Sequence, residues 1–143
     1  MAKLTVNESA QSGLTHAFKF SFEDLQAIGT GGQETLFTKE AGQFVELCVV
    51  KEQVAFAGTT SLVIDVGTTG ADPDEYIDAL DVDAMTIAVA NTGDAFTTGY
   101  TQAVDAAAAD EDVVLEVTDA AIASATAGEL LIGFRVVDTN VAA

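Results

Sequence analysis

Cationic side chains are what this chain lacks most. Five Lys and Arg stand against 23 Asp and Glu in 143 residues, a formal net charge of -18. The five are Lys3, Lys19, Lys39, Lys51 and Arg135. Between Glu52 and Phe134 there is none, although 16 of the 23 acids lie there. That segment cannot neutralise its carboxylates by internal ion pairs. They must point into solvent, meet a cation or face a basic partner. The shortage argues against nucleic-acid binding, which needs Lys and Arg clustered over phosphates. It argues equally against an anionic membrane surface. Low Lys with abundant Asp also suits a saline medium, where salt screens the self-repulsion.

Other absences narrow the chemistry. Cys48 is the only cysteine, so no internal disulfide can form. It sits in the apolar run "FVELCVVKE" and reads as a small buried hydrophobe rather than a reactive thiol. His16 is the only histidine and falls among apolar strand residues; a zinc site would need more His or Cys than the chain holds. A Cys48–His16 nucleophile pair is the sharper alternative to two packed side chains. No apolar run approaches the 18 residues that suggest a membrane span, and "MAKLTVNESAQSG" has no hydrophobic leader core. The expectation is a chain synthesised in a cytoplasm without a signal peptide. One Pro against twelve Gly, mostly between apolar runs, is turn punctuation rather than linker composition.

What is present is short, alternating and β-branched. Hydrophobic residues make up 49% of the chain, enough for a core despite the charge. Strands are expected at "LTHAFKF" (14–20), at "ETLFTK", at "QFVELCVVKE", at "TSLVIDV" (60–66), at "AMTIAVA" (84–90), at "DVVLEVTD" with Val113, Leu115 and Val117 inward, and at "ELLIGFRVVD" (129–138). "GTGG" (29–32) lacks the Lys-Ser/Thr of a phosphate loop and reads as a turn. The run "VDAAAADED" (104–112) is expected to be a loop. "SFEDLQAI" (21–28), with Phe22, Leu25 and Ile28 three apart, is expected to be helical, and the opening stretch is the other place open to a helix. The pattern predicts one all-β domain, an antiparallel sandwich over 14–143 preceded by an arm at 1–13.

The stretch "TTGADPDEYIDALDVD" (68–83) packs six carboxylates into sixteen residues. As an EF-hand starting at Asp72 it fails, because Ile77 stands where Gly is required and Asp83 where a bidentate Glu is required. An irregular calcium site would draw on Asp72, Asp74 and Asp78. A catalytic carboxylate pair would need one buried acid with a perturbed pKa, and no partner is near in sequence. The competing reading is a capped helical turn over Asp72–Asp81. Asp72 would be the N-cap, Pro73 the first helical residue and Glu75 the capping-box partner, and Tyr76, Ile77 and Leu80 would form one apolar stripe.

Several segments, in order, resemble structural proteins of tailed-bacteriophage virions. "FEDL" (22–25) precedes a strand; "GQFV" opens the next from Gly42; Ala55, Phe56 and Gly58 form an "AF-x-G" corner; a strand ends in "VG"; "DPDEYIDALDV" follows; and "TAGELLIGFRVVD" closes the chain. The likeness covers about three quarters of the sequence. It implies a jelly-roll-like β-sandwich that decorates the outside of a capsid as a cement protein. Its partner would be the major capsid protein, and trimers at local three-fold positions are common in such proteins. The family implies no catalytic residue and no cofactor. The basic residues Lys3, Lys19 and Lys39 lie in the N-terminal part with His16, which makes that part the expected capsid-facing region, with Ala2, Lys3, Leu4 and Val6 of the arm as candidate contacts. The alternatives are another virion component (tail, connector or fibre base) and a calcium-dependent extracellular adhesion module. An enzyme is the weakest reading, since no nucleophile, base and oxyanion set is recognisable.

Overall fold

A computed structural model describes residues 2–3, 14–68, 73–84, 89–90, 105–106 and 109–138. The elements in chain order are β1 (Ala2–Lys3), β2 (His16–Ser21), α1 (Phe22–Ile28), β3 (Gly32–Lys39), β4 (Gln43–Ala57), β5 (Val63–Thr68), β6 (Ile77–Asp81), a 3-10 turn (Val82–Ala84), β7 (Val89–Ala90), β8 (Asp105–Ala106), β9 (Glu111–Thr118), a second 3-10 turn (Ile122–Ser124) and β10 (Ala127–Asp138). They form two antiparallel sheets. Sheet A runs β1-β2-β10-β4-β7, with β8 also on β4; sheet B runs β3-β9-β5-β6. The chain is an all-β sandwich, as the alternation predicts.

The two inner faces make one core. Phe18, Phe20, Val45, Leu47, Val50, Leu130, Ile132 and Phe134 come from sheet A; Leu36, Ile64, Val66, Val113, Leu115 and Val117 come from sheet B. Each such side chain contributes roughly 1.5–3 kcal/mol when taken out of water. Phe134 is an aromatic hub, with edge-on contacts to Phe37 at 5.2 Å and Tyr76 at 5.9 Å. Phe37 belongs to sheet B, so these rings tie the sheets together where offset and edge-on pairs add to burial.

The expected helix at 21–28 forms as α1, and its cap explains why. The Asp24 N–H donates to Ser21 Oγ at 3.2 Å, while the Ser21 N–H donates to Asp24 Oδ2 at 2.9 Å. This is a capping box with Asp as the reciprocal acceptor. Leu25 is buried, and Gln26 Nε2 donates to the carbonyls of Ala123 and Ala125, pinning the helix over the second 3-10 turn. "GTGG" then reverses the chain: Gly29 and Gly31 have φ of 76° and 75°, and a Cβ on Gly32 would lie 2.1 Å from the Ile28 carbonyl oxygen. No L side chain fits all three positions.

Three local expectations are corrected. The segment over Asp72–Asp81 is not a helical turn: Ile77–Asp81 is β6, the edge strand of sheet B, and Asp72 lies outside the described residues. The cause is a β-bulge. Ile77 pairs with Val66 and Leu80 with Ile64, so two residues of β6, Asp78 and Ala79, stand opposite the single Asp65 of β5. Ala79, at φ 50°, absorbs the extra residue. The apolar spacing of three that looked helical is the spacing across this bulge, and Tyr76, Ile77 and Leu80 are buried by it as the stripe required. Secondly, the stretch read as a loop at 104–112 contributes Asp105–Ala106 to sheet A and Glu111–Asp112 to β9. Thirdly, Ala2–Lys3 in the opening stretch is a strand paired with β2, and of "AMTIAVA" only Val89–Ala90 is described as a strand.

Candidate functional site: two unlike sheet faces

The acidic stretch that first suggests a site is held together by its own backbone. Glu75 accepts from the Thr68 N–H at 2.8 Å and from Thr68 Oγ1 at 2.6 Å, which ties the segment across the end of β5 instead of capping a helix. Asp83 accepts from Thr59 Oγ1 at 2.8 Å and from the Leu62 N–H at 3.1 Å. Asp119 accepts from the Ala121 N–H at 2.8 Å and the Thr60 N–H at 3.3 Å. Asp65, largely buried, accepts from the Ala79 N–H at 2.7 Å and so holds the bulge of β6 in place. These are turn and bulge supports. Of the candidate calcium ligands, Asp78 is exposed and Asp74 half-buried, and Asp72 is outside the described residues. Among the described residues, no group of three or more His, Cys, Asp or Glu is arranged to hold a metal ion.

The nucleophile pair is not assembled. His16 lies on β2 and Cys48 on β4, with β10 between them. Strands two apart in a sheet are separated by roughly 9–10 Å, beyond hydrogen-bond reach. The His16 ring packs on Phe37 at 4.7 Å, and the Cys48 Sγ–H donates to the Glu46 carbonyl at 3.6 Å. Burial, and after it the neighbouring Glu46 carboxylate, push the Cys48 thiol up. A thiol with little thiolate is a poor nucleophile.

The more informative feature is where the cations go. Lys39, expected on the capsid-facing surface, is buried at the end of β3. Three others converge on the outer face of sheet A. Leu131 of β10 pairs with Lys19 on one side and Lys51 on the other, so one row across the sheet reads Lys19–Leu131–Lys51. Two residues along β10, the next row is Ala17–Gly133–Val49. The row after that pairs Arg135 with Glu46. Directly opposed residues share a face, as do alternate residues of one strand. Arg135 hydrogen-bonds Glu46, which holds its guanidinium pKa above the usual value, and Lys19 lies 3.9 Å from Glu129. Lys51 has no ion-pair partner among the described residues. Val54, opposite Glu129, and Val137, opposite Phe44, lie on the same face; they are the two exposed large apolar side chains among the described residues, at 51% and 49% exposure.

The outer face of sheet B differs in kind. Asp65 stands directly opposite Glu116, Val63 opposite Asp81, and Thr38 Oγ1 donates to Asp112. Gln33 Nε2 donates to Glu116 at 2.7 Å. Among the described residues this face has carboxylates and neutral donors and no Lys or Arg. Sequence reasoning missed the division, because Lys19, Lys51 and Arg135 are distant in the chain and only strand register brings them together. The available signal was the alternation of β10, which puts Arg135 out of phase with Leu130, Ile132 and Phe134; in β4 the irregularity at Cys48 shifts the phase, so Lys51 faces outward although it stands in step with Val45 and Leu47.

No family model, no curated protein and no solved structure matches this chain.

Proposed function

We propose that this protein is a non-enzymatic structural protein of a phage-like virion, which decorates the outer surface of the head and stabilises capsomer junctions by binding. The observation that carries the reading is the asymmetry of the sandwich. A component of a larger assembly suits one nearly neutral, partly apolar face that protein can cover and one face of carboxylates left to water. The segments that carry the resemblance support the same reading, since they coincide with structural junctions. "FEDL" is the first turn of α1, Gly42 precedes β4, and Gly58, at φ 81°, ends β4 where a Cβ would lie 2.2 Å from the Ser124 carbonyl oxygen. They build a scaffold and gather no reacting groups. Attachment is assigned to the N-terminal arm. Its Ala2 and Lys3 pair at the edge of sheet A opposite Lys19 and Phe18, and edge strands recruit partner backbone; Leu4 and Val6 lie outside the described residues.

Immunogold labelling of particles from the source organism tests the reading. Label spread over the shell is the expected result. Label confined to one vertex or to a tail would move the protein to another virion component, and unlabelled particles would overturn the virion reading. Removal of residues 1–13 is expected to abolish attachment while circular dichroism and melting temperature stay near those of the full chain.

A further inference from the structure

We propose that the outer face of sheet A is a contact between two copies of this chain, each presenting the same face about a two-fold axis. The inference does not depend on the virion reading, because it rests on the chain's own charge and register.

Charge selects the face. Two copies at -18 each repel wherever carboxylates meet. On the outer face of sheet A, Lys19, Lys51 and Arg135 stand beside Glu46 and Glu129, so among the described residues the face is close to neutral. On the outer face of sheet B, Asp65, Asp81, Asp112 and Glu116 stand without a cation among the described residues. Face A against face A is the approach with the least repulsion.

Apolar surface selects it again. Val54 and Val137 are half-exposed here and nowhere else is a large apolar side chain so exposed among the described residues. Leu131, Val49 and Phe44 lie between them and are partly covered. Apolar groups gathered on one sheet face, bordered by charge, mark an interaction surface.

Register makes the face self-complementary. Consider a two-fold axis lying across the strands over the Ala17–Gly133–Val49 row, where Leu14 of the same chain covers Gly133 and Ala17 is buried, so that the contact is made by the rows on either side. It sets the Lys19–Leu131–Lys51 row of one copy over the Arg135–Glu46 row of the other. Lys51, without an ion-pair partner among the described residues, then meets Glu46 of the second copy. The same operation sets Val54 over Phe44 of the second copy. An isologous contact of this kind closes on itself and gives a dimer. That differs from the three-fold association the resemblance implies, so the measured mass decides between them.

Sedimentation equilibrium of the full chain over a concentration series, at low and near-physiological salt, tests the proposal. A monomer–dimer equilibrium that tightens as salt screens the repulsion is expected. Val54→Asp and Val137→Asp should each weaken it about tenfold or more, by placing an unpaired carboxylate in the contact. Both side chains are half-exposed, so circular dichroism and thermal unfolding should stay unchanged. Lys51→Glu alone should weaken the dimer and Lys51→Glu with Glu46→Lys should restore it, a rescue that a merely structural role would not produce. Thr35→Asp, on the outer face of sheet B, should leave it unaltered. A monomer at every concentration, a trimer mass, or a dimer indifferent to the sheet A substitutions would overturn the proposal.

Discussion

The outer faces of the two sheets cover the same core and follow opposite rules. On sheet A the carboxylates Glu46 and Glu129 have cations beside them, and apolar side chains remain half in water. On sheet B the carboxylates are satisfied by neutral donors: Asp65 by the Ala79 N–H, Glu116 by Gln33, Asp112 by Thr38. Hydrogen bonds from neutral groups fix a carboxylate in place but leave its charge, so sheet B remains a strongly negative surface. A net charge of -18 is therefore a poor description of any one face of this molecule.

The faces also differ in how closely other chain segments lie on them, and paired glycine substitutions should break that comparison most sharply. On sheet B, a Cβ at Gly67 would lie 1.9 Å from Glu75 Oε2, 2.7 Å from the Pro73 carbonyl carbon and 2.8 Å from the Asp74 nitrogen. Two of these atoms are backbone and cannot swing away. Gly67→Ala is expected to cost about 2–3 kcal/mol in denaturant unfolding. On sheet A, a Cβ at Gly133 would meet Leu14 Cδ1 at 2.4 Å, the far end of a flexible side chain. Gly133→Ala should cost less, about 1 kcal/mol or under, as Leu14 shifts rotamer. Equal costs would mean that the two faces are covered alike.

A middle-sized effect should come from the bulge. Asp65→Ala leaves the Ala79 N–H without its acceptor and should cost about 1–3 kcal/mol. Ala79→Gly should act the other way, stabilising by several tenths of a kcal/mol, because Ala79 holds a left-handed φ of 50° that glycine adopts without a steric penalty. Chemical denaturation of both variants checks the pair of signs. The smallest effect is kinetic and belongs to sheet A. With its thiol pushed up by burial and then by Glu46, Cys48 should react with a maleimide more slowly than free cysteine at neutral pH. Reaction should quicken as pH rises, and Glu46→Gln should quicken it at constant pH, since one cause of the raised pKa is removed.

Much of the architecture was legible before the fold. Alternation located β2, β4, β5, β9 and β10, because a strand with one wet face must repeat every two residues. The spacing of Phe22, Leu25 and Ile28 announced α1, because an apolar stripe three apart is legible within one short segment. The segment at 72–81 misled for a physical reason. A bulge inserts one residue into a strand, so the inward side chains Ile77 and Leu80 fall three apart, and a spacing of three is also helical. The partner strand β5 distinguishes the two readings, and it is not local. Lys39 misled similarly: its charge placed it at the surface, while its position at the end of β3 buries it.

By itself, then, the sequence determined the class of fold, the helix over 21–28, the turn at "GTGG" and the large excess of acid, since each follows from composition or from spacing within one short segment. Only the tertiary structure decided which acids support turns, which cation is buried, and that Lys19, Leu131 and Lys51 form one row. Those facts depend on register between strands far apart in the chain. Register is set by the packing of a whole face against the core, not by any segment alone.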